Sequence, residues 1–349
     1  MEGIGISNIY NNGIFNSEDL IALWLEAFGD DSDFTKLLFN TGFIVPENIF
    51  SLSKERSNKL ICALNAPSYL FNINQDKKNE EISYICSAAT FKEYRNQGCM
   101  SYLLNLVLQS LSDRNQLLAI LIPSEKSLFN YYNRFGFAAA FYIGKYVFNK
   151  DVFNSNFTDN ITYEIERIET DSQKLPFLYD NYKKRFSNCN FTCYKPFERF
   201  KQSVSEHSYD KDKSGFYSVG EGSAFIYFGD DIHAREVSGI ENEVLAKSLI
   251  KKYNKSVVIE DLPEKNNKEE LGMARILNIA GFLDKIKKDT NLEFAYNIKD
   301  DILPENNINI ACKNGIIYKP KKAEETDIFE FSNFIFKYLG FGYMNNMLN

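Results

Sequence analysis

Residues Ser87–Ser101 read SAATFKEYRNQGCMS, and the rest of the chain is best understood from this stretch outward. It joins a short apolar run, Ile82–Ala89, to an amphipathic segment through a turn built on Arg95, Asn96, Gln97 and Gly98. In that segment Met100, Leu103, Leu104, Val107, Leu108 and Leu111 recur at helical spacing and mark one face. A strand that turns through glycine into a helix leaves the first helical N–H groups without internal partners, which makes a cradle for phosphate. Gly98 suits the turn because it has no Cβ to hold an anion away from the backbone. Arg95 either pairs with the phosphate or braces the loop.

An Arg-x-x-Gly turn alone is an ordinary strand-to-helix connection. What points to phosphate here is the setting. Leu117–Ile122 reads as a second buried strand, broken by Pro123, and Leu128–Phe135 as a short helix. That helix carries Tyr131-Tyr132-Asn133-Arg134-Phe135 ahead of Gly136-Phe137, and Phe141–Phe148 reads as a returning strand. The order indicates an α/β sheet covered by helices.

Upstream, Asn16 and Ser17 open a helix with acidic residues in its first turn. Leu20, Trp24, Leu25 and Phe28 form its apolar stripe up to Gly29, and a second helix spans Ser32–Phe39. Extended segments follow at Asn48–Leu52, Leu60–Leu64 and Ser68–Ile73, and Asp76–Glu81 reads as a charged hairpin tip. Residues 150–160 are polar and Asn-rich, as a linker would be. Beyond it come helices near Gln173–Ser187 and Lys195–Val204 and an extended Phe216–Phe228. A helix at Asn242–Tyr253 and a strand at Val257–Glu260 complete an echo of the first half. No Arg-x-x-Gly turn stands at the equivalent place; Gly272-Met273-Ala274-Arg275 is the nearest approach. Two extended runs around Asp300–Asn307 and a helix at Asp327–Leu339 close the chain.

The 349 residues exceed one compact core and predict two or three domains, which 30 Phe and 21 Tyr supply with apolar area. A net charge of −7 argues against nucleic acid and is compatible with a cationic acceptor. No apolar run approaches the roughly 20 residues of a membrane span, and no signal peptide is visible, so a cytoplasmic protein is expected. The six cysteines are scattered. Cys189 and Cys193 lack a second pair or a His cluster nearby, so no metal site is expected.

The stretch from Ile21 to Phe137 resembles an N-acetyltransferase domain of the GNAT superfamily. The segments YRNQGCMSYLL and LIPSEKSLFNYYNRFGF are similar to the enhanced-intracellular-survival (Eis-like) branch. The second half resembles that branch's degenerate second GNAT domain. DDILPENN with FSNFIFKYLGF resembles its sterol-carrier-like C-terminal region. The resemblance implies an α/β (α+β) fold with a catalytic GNAT domain at 1–150 and a degenerate one at 151–288. A short sterol-carrier-like α+β region follows at 289–349.

It further implies acetyl-CoA as co-substrate, its pantetheine arm lying along the backbone of Ala88, Ala89 and Thr90. The pyrophosphate falls on the loop Arg95, Asn96, Gln97, Gly98, Cys99, Met100 and Ser101. Met100 departs from the superfamily pattern, which has Gly or Ala there, but fits the Eis-like branch. Cys99 is then a loop residue whose backbone binds phosphate, and not a nucleophile.

Tyr132, four residues before Gly136, matches the family's general acid; Tyr131 is its rival for that role, with core packing as its other reading. No His stands in the first domain, and by resemblance the carboxylate of Asn349 takes the proton of the acceptor amine. The implied reaction is direct acetyl transfer to a primary amine of a polyamine, a small metabolite or a protein. The rival reading is a non-catalytic acyl-CoA-binding or lipid-carrier protein. A homo-oligomer is compatible with the resemblance.

Overall fold

The computed structural model describes residues 6–9, 17–29, 31–54, 59–73, 79–152, 162–187, 189, 191–286, 291–340 and 342–345. The expected hairpin tip and the linker fall largely outside them. The chain forms two compact units. The first is built from Met1–Asn74, Lys78–Ala140 and Gly272–Gly340, the second from Gln75–Lys77, Phe141–Leu271 and Phe341–Asn349.

The first unit begins with β1 (Ile6–Ile9), α1 (Ser17–Phe28) and α2 (Ser32–Asn40). Next come β2 (Ile49–Lys54), β3 (Leu60–Asn65), β4 (Ser68–Asn72), β5 (Glu80–Tyr84) and β6 (Cys86–Thr90). Then follow α3 (Cys99–Asp113), β7 (Leu118–Leu121) and α4 (Ser127–Asn133). β1, β2, β3 and β6 pair in that order, all antiparallel. A second set runs β4, β5, β7 and the strand Glu269–Ile276, with β5 and β7 parallel. α1 buries Leu20, Leu23 and Trp24, and Gly29 ends it at φ 70°. α3 buries Cys99, Leu103, Leu104, Val107, Leu108 and Leu111 in one core with Phe50, Leu52, Leu64 and Phe137.

The expected continuous strand Ile82–Ala89 is in fact two strands parted at Ile85. Two residues further on, inside the second of them, Ser87 takes a φ of 51°, a region that side chains disfavour, and its pairing with β3 is irregular there.

The C-terminal part of this unit is α+β. Ile316–Tyr318, Ile308–Lys313, Phe294–Lys299 and Glu324–Asp327 form a four-stranded sheet in that order. The helix Ile328–Leu339 follows, with the Asp327 carboxylate accepting from the Glu330 N–H at 2.8 Å. The two extended runs expected around Asp300–Asn307 are the strands Phe294–Lys299 and Ile308–Lys313, with Asp300–Asn307 as the turn between them. The Asp300 carboxylate accepts from the Ile302 and Leu303 N–H groups at 3.1 Å and curls the chain back.

The second unit holds the strands Ile165–Arg167, Ser214–Val219, Gly222–Phe228, Ile232–Ser238 and Val257–Asp261. Residues 141–148 of the strand Ala138–Phe148 complete that sheet. The expected extended run Phe216–Phe228 belongs to a hairpin of two of these strands. Ile232–Ser238 and Val257–Asp261 run parallel, joined by the helix Asn242–Tyr253, which repeats the strand–helix–strand order of the first unit.

Candidate active site

β5 and β7 stay together for only a short distance. Ser83 pairs with Ala119 and Tyr84 with Ile120, and the Ile85 N–H donates to the Ile120 carbonyl at 2.8 Å. At Ser87 the chain leaves that partnership. β6 pairs with β3 alone (Cys62 with Thr90, Ala63 with Ala89) and forms the edge of its sheet. The backbone of Ala88, Ala89 and Thr90 therefore has one edge without a strand partner among the described residues. The bulge is held from the other side. The Trp24 indole N–H donates to the Ser87 carbonyl at 3.1 Å, a brace that the helical stripe of α1 did not reveal in sequence.

After Thr90 the chain makes a single 3-10 turn, Lys92–Tyr94, and then the loop Arg95–Gly98. Asn96 and Gly98 have φ of 61° and 78°. Gly98 is the N-cap of α3, and no side chain caps the helix. The N–H groups of Cys99, Met100 and Ser101 have no acceptor within a helix at that position, and the positive end of the helix dipole lies there. A Cβ built on Gly98 would meet nothing within 4 Å, so the mouth of the cradle is open. These features fit a diphosphate.

Arg95 braces the loop: its Nε donates to the Thr90 carbonyl at 2.9 Å. Gln97 donates to the Glu93 carbonyl at 2.8 Å, and Glu26 on α1 accepts from the Lys92 N–H at 2.7 Å. Asn96 is exposed. The Cys99 side chain is buried, and burial raises its thiol above the ordinary range, so it has no nucleophilic thiolate.

α4 brings the two tyrosines. Met100, Ala88, Tyr131 and Tyr132 all pack, partly buried, against the α3 core. Burial and the neighbouring Tyr131 push the Tyr132 hydroxyl up to about 12, so it is a neutral phenol with a proton to give. The Tyr131 and Tyr132 rings meet edge to face with centroids 5.1 Å apart. Tyr131 is more than packing: its hydroxyl lies 3.2 Å from Ser101 Oγ. Asn349 lies outside the described residues.

The corresponding place in the second unit is built differently. Glu236 has φ 51°, as Ser87 does, so the strand bulge recurs. Only Gly239, Ile240 and Glu241 then separate the strand from its helix, which leaves no room for a phosphate loop. Glu241 and Glu243 put negative charge at the helix N-terminus, where phosphate would need positive potential. Gly272–Arg275 are strand residues, and Arg275 is buried. A cavity of about 720 Å³, walled by Tyr146, Phe148, Arg185, Asp261 and Glu264, lies in this unit and contains none of the candidate residues. Among the described residues, no three His, Cys, Asp or Glu side chains gather to hold a metal, and no helix is long and apolar enough to cross a membrane.

Residues 15–140 match the acetyltransferase (GNAT) domain family. The chain carries a GNAT acetyltransferase domain. That makes it an acyltransferase, and such domains use acetyl-CoA as co-substrate. The whole fold is similar to solved structures. Eis1 from Mycobacterium abscessus is 11% identical, with 96% of this chain and 89% of that one covered at a TM-score of 0.68. A probable N-acyltransferase from Enterococcus faecalis is 15% identical (94% and 88% covered, TM-score 0.70). A GCN5-related N-acetyltransferase from Anabaena variabilis is 16% identical (95% and 89%, TM-score 0.69). No curated protein sequence matches the chain. The Eis-like arrangement of two GNAT-like halves and an α+β C-terminal region thus holds at the level of fold.

Proposed function

We propose that this protein transfers an acetyl group from acetyl-CoA directly to a primary amine, using the first unit's site. The observation that carries the reading is the uncapped N-terminus of α3 beside the unpaired edge of β6. One offers N–H donors to a diphosphate, the other to the amides of a pantetheine arm. In the second unit the acidic helix start argues against a second CoA site.

In this reading the nitrogen lone pair of a neutral amine attacks the thioester carbonyl and forms a tetrahedral adduct. The adduct collapses as the C–S bond breaks and the sulfur leaves with the bonding pair. Tyr132 gives its proton to that sulfur, which suits a phenol kept neutral by burial. The amine nitrogen loses one proton, which we assign to the carboxylate of Asn349 on the strength of the Eis-like resemblance. Extending the chain beyond Asn349 is then expected to abolish turnover and to spare acetyl-CoA binding.

The chain's charge of −7 favours a cationic acceptor: an aminoglycoside-like polyamine, a small metabolite amine or a protein amine. The deciding experiment supplies acetyl-CoA with a panel of such amines and follows release of free thiol. Acceptor-dependent release supports the reading. Acetyl-CoA binding without thiol release for any amine overturns it in favour of a non-catalytic acyl-CoA carrier.

A further inference from the structure

We infer that Tyr131 is a positioning residue for the diphosphate of the acyl donor, acting through the hydroxyl of Ser101. The inference rests on the acetyl-CoA reading and concerns a residue that sequence pattern offers only as a rival acid or as packing. Ser101 is the third residue of α3, counted from the Gly98 cap, so its hydroxyl stands at the rim of the uncapped helix N-terminus. Tyr131 Oη lies 3.2 Å away. Either oxygen can donate, and acidity decides between them. A phenol, with an ordinary pKa of about 10, is a far better donor than an aliphatic alcohol. With Tyr131 donating, the Ser101 proton is turned away from the phenol and is available to an anion at the helix N-terminus.

Three further contacts fit this role. Burial raises Tyr131 above the usual phenol range, so the donor keeps its proton throughout the neutral range. The Arg134 guanidinium lies over the Tyr131 ring, 4.8 Å from its centroid, and the Phe135 ring packs against it at 5.2 Å. The ring is thereby fixed between α3 and α4. The same ring meets Tyr132 edge to face, so an anion at α3 is linked by direct contact to the candidate acid.

The test compares CoA with pantetheine, which has the same arm but no diphosphate, by calorimetric titration. Tyr131→Phe keeps the ring and loses only the hydroxyl. Binding of CoA is expected to weaken about tenfold, the scale of one charge-assisted hydrogen bond, while pantetheine binding is unchanged. Ser101→Ala is expected to give a similar loss, and the double variant no further loss, because both remove one relay. Equal weakening toward CoA and pantetheine, additive losses, or unaltered CoA binding in Tyr131→Phe would overturn the inference alone. Wild-type protein that fails to bind CoA would instead overturn the functional reading beneath it.

Discussion

Arg275 and Asp300 form an ion pair with an Nη2–Oδ2 distance of 2.6 Å and side chains only 0% and 1% exposed. Asp300 is further tied to Asn306 Nδ2 at 3.0 Å, and Arg275 Nη1 donates to the Ile276 carbonyl at 2.8 Å. The pair joins the strand Glu269–Ile276 to the turn of the C-terminal α+β region. Asp300→Ala would strand a buried guanidinium and is expected to cost about 3–5 kcal/mol. Urea unfolding measures it; a loss under 1 kcal/mol would contradict the assignment.

Gly136 lies against the same arginine. At φ 79° it occupies a region suited to glycine, and an added Cβ would meet Arg275 Nε at 2.8 Å and Ile328 Cγ2 at 2.9 Å. Gly136→Ala is therefore expected to lower the unfolding free energy by more than the 1–2 kcal/mol or so of the backbone conformation alone. Gly98→Ala, with φ 78° but open space, should cost only that backbone strain, a contrast that thermal unfolding of the two variants reads directly.

Tyr132→Phe removes the proton donor and keeps the ring. A fall in kcat of about 10²–10⁴-fold with little change in acetyl-CoA affinity is expected. Because the hydroxyl is held up to about 12, the wild-type rate should show no Tyr132-dependent decline through the neutral and mildly alkaline range. Steady-state rates across pH decide both points.

Glu206, on the helix Phe197–His207, is buried, and its Oε1 has no hydrogen-bond partner. Burial raises its carboxyl to about 7, a pull that Arg199 and Lys195 only partly offset. The folded protein thus keeps a proton that the unfolded chain, at the ordinary 4.5, has lost. Its contribution is fully present below about pH 4.5 and disappears as pH rises through about 7, a difference on the order of 3 kcal/mol. Glu206→Gln should flatten this part of the stability profile; identical pH slopes in both proteins would refute it.

Trp24→Phe keeps most of the buried ring but loses the bond to the Ser87 carbonyl. A stability loss of about 1 kcal/mol is expected, together with weaker CoA binding as the bulge relaxes. Calorimetry on the variant checks the second effect.

Local chemistry made α3 and its loop readable. The apolar recurrence from Leu103 to Leu111 allows one buried face, and Gly98 is the residue type that takes a left-handed cap without strain. The helices Asn242–Tyr253 and Ile328–Leu339 were legible for the same reason, since their periodicity and acidic starts are written in consecutive residues. The break at Ile85 and the bulge at Ser87 were not, because Ile82–Ala89 is uniformly apolar or small and nothing local distinguishes a bulge from a straight strand. The Ile232–Ser238 strand was missed too: Ile232, His233, Ala234 and Arg235 alternate, but Glu236 breaks the pattern, and the second unit pairs Arg235 with Glu260 and Glu236 with Lys195.

The amino-acid sequence by itself determined the phosphate turn, the helix behind it and the tyrosine pair, because each depends on neighbours within a few positions. Tertiary structure alone decided what those parts face. It freed the edge of β6 by parting it from β7, set Tyr131 against Ser101, and neutralised Arg275 with Asp300. Those outcomes depend on strand partners and burial shared between distant segments, and the free energy of a buried charge or an unpaired backbone edge is defined only once the fold has chosen its neighbours.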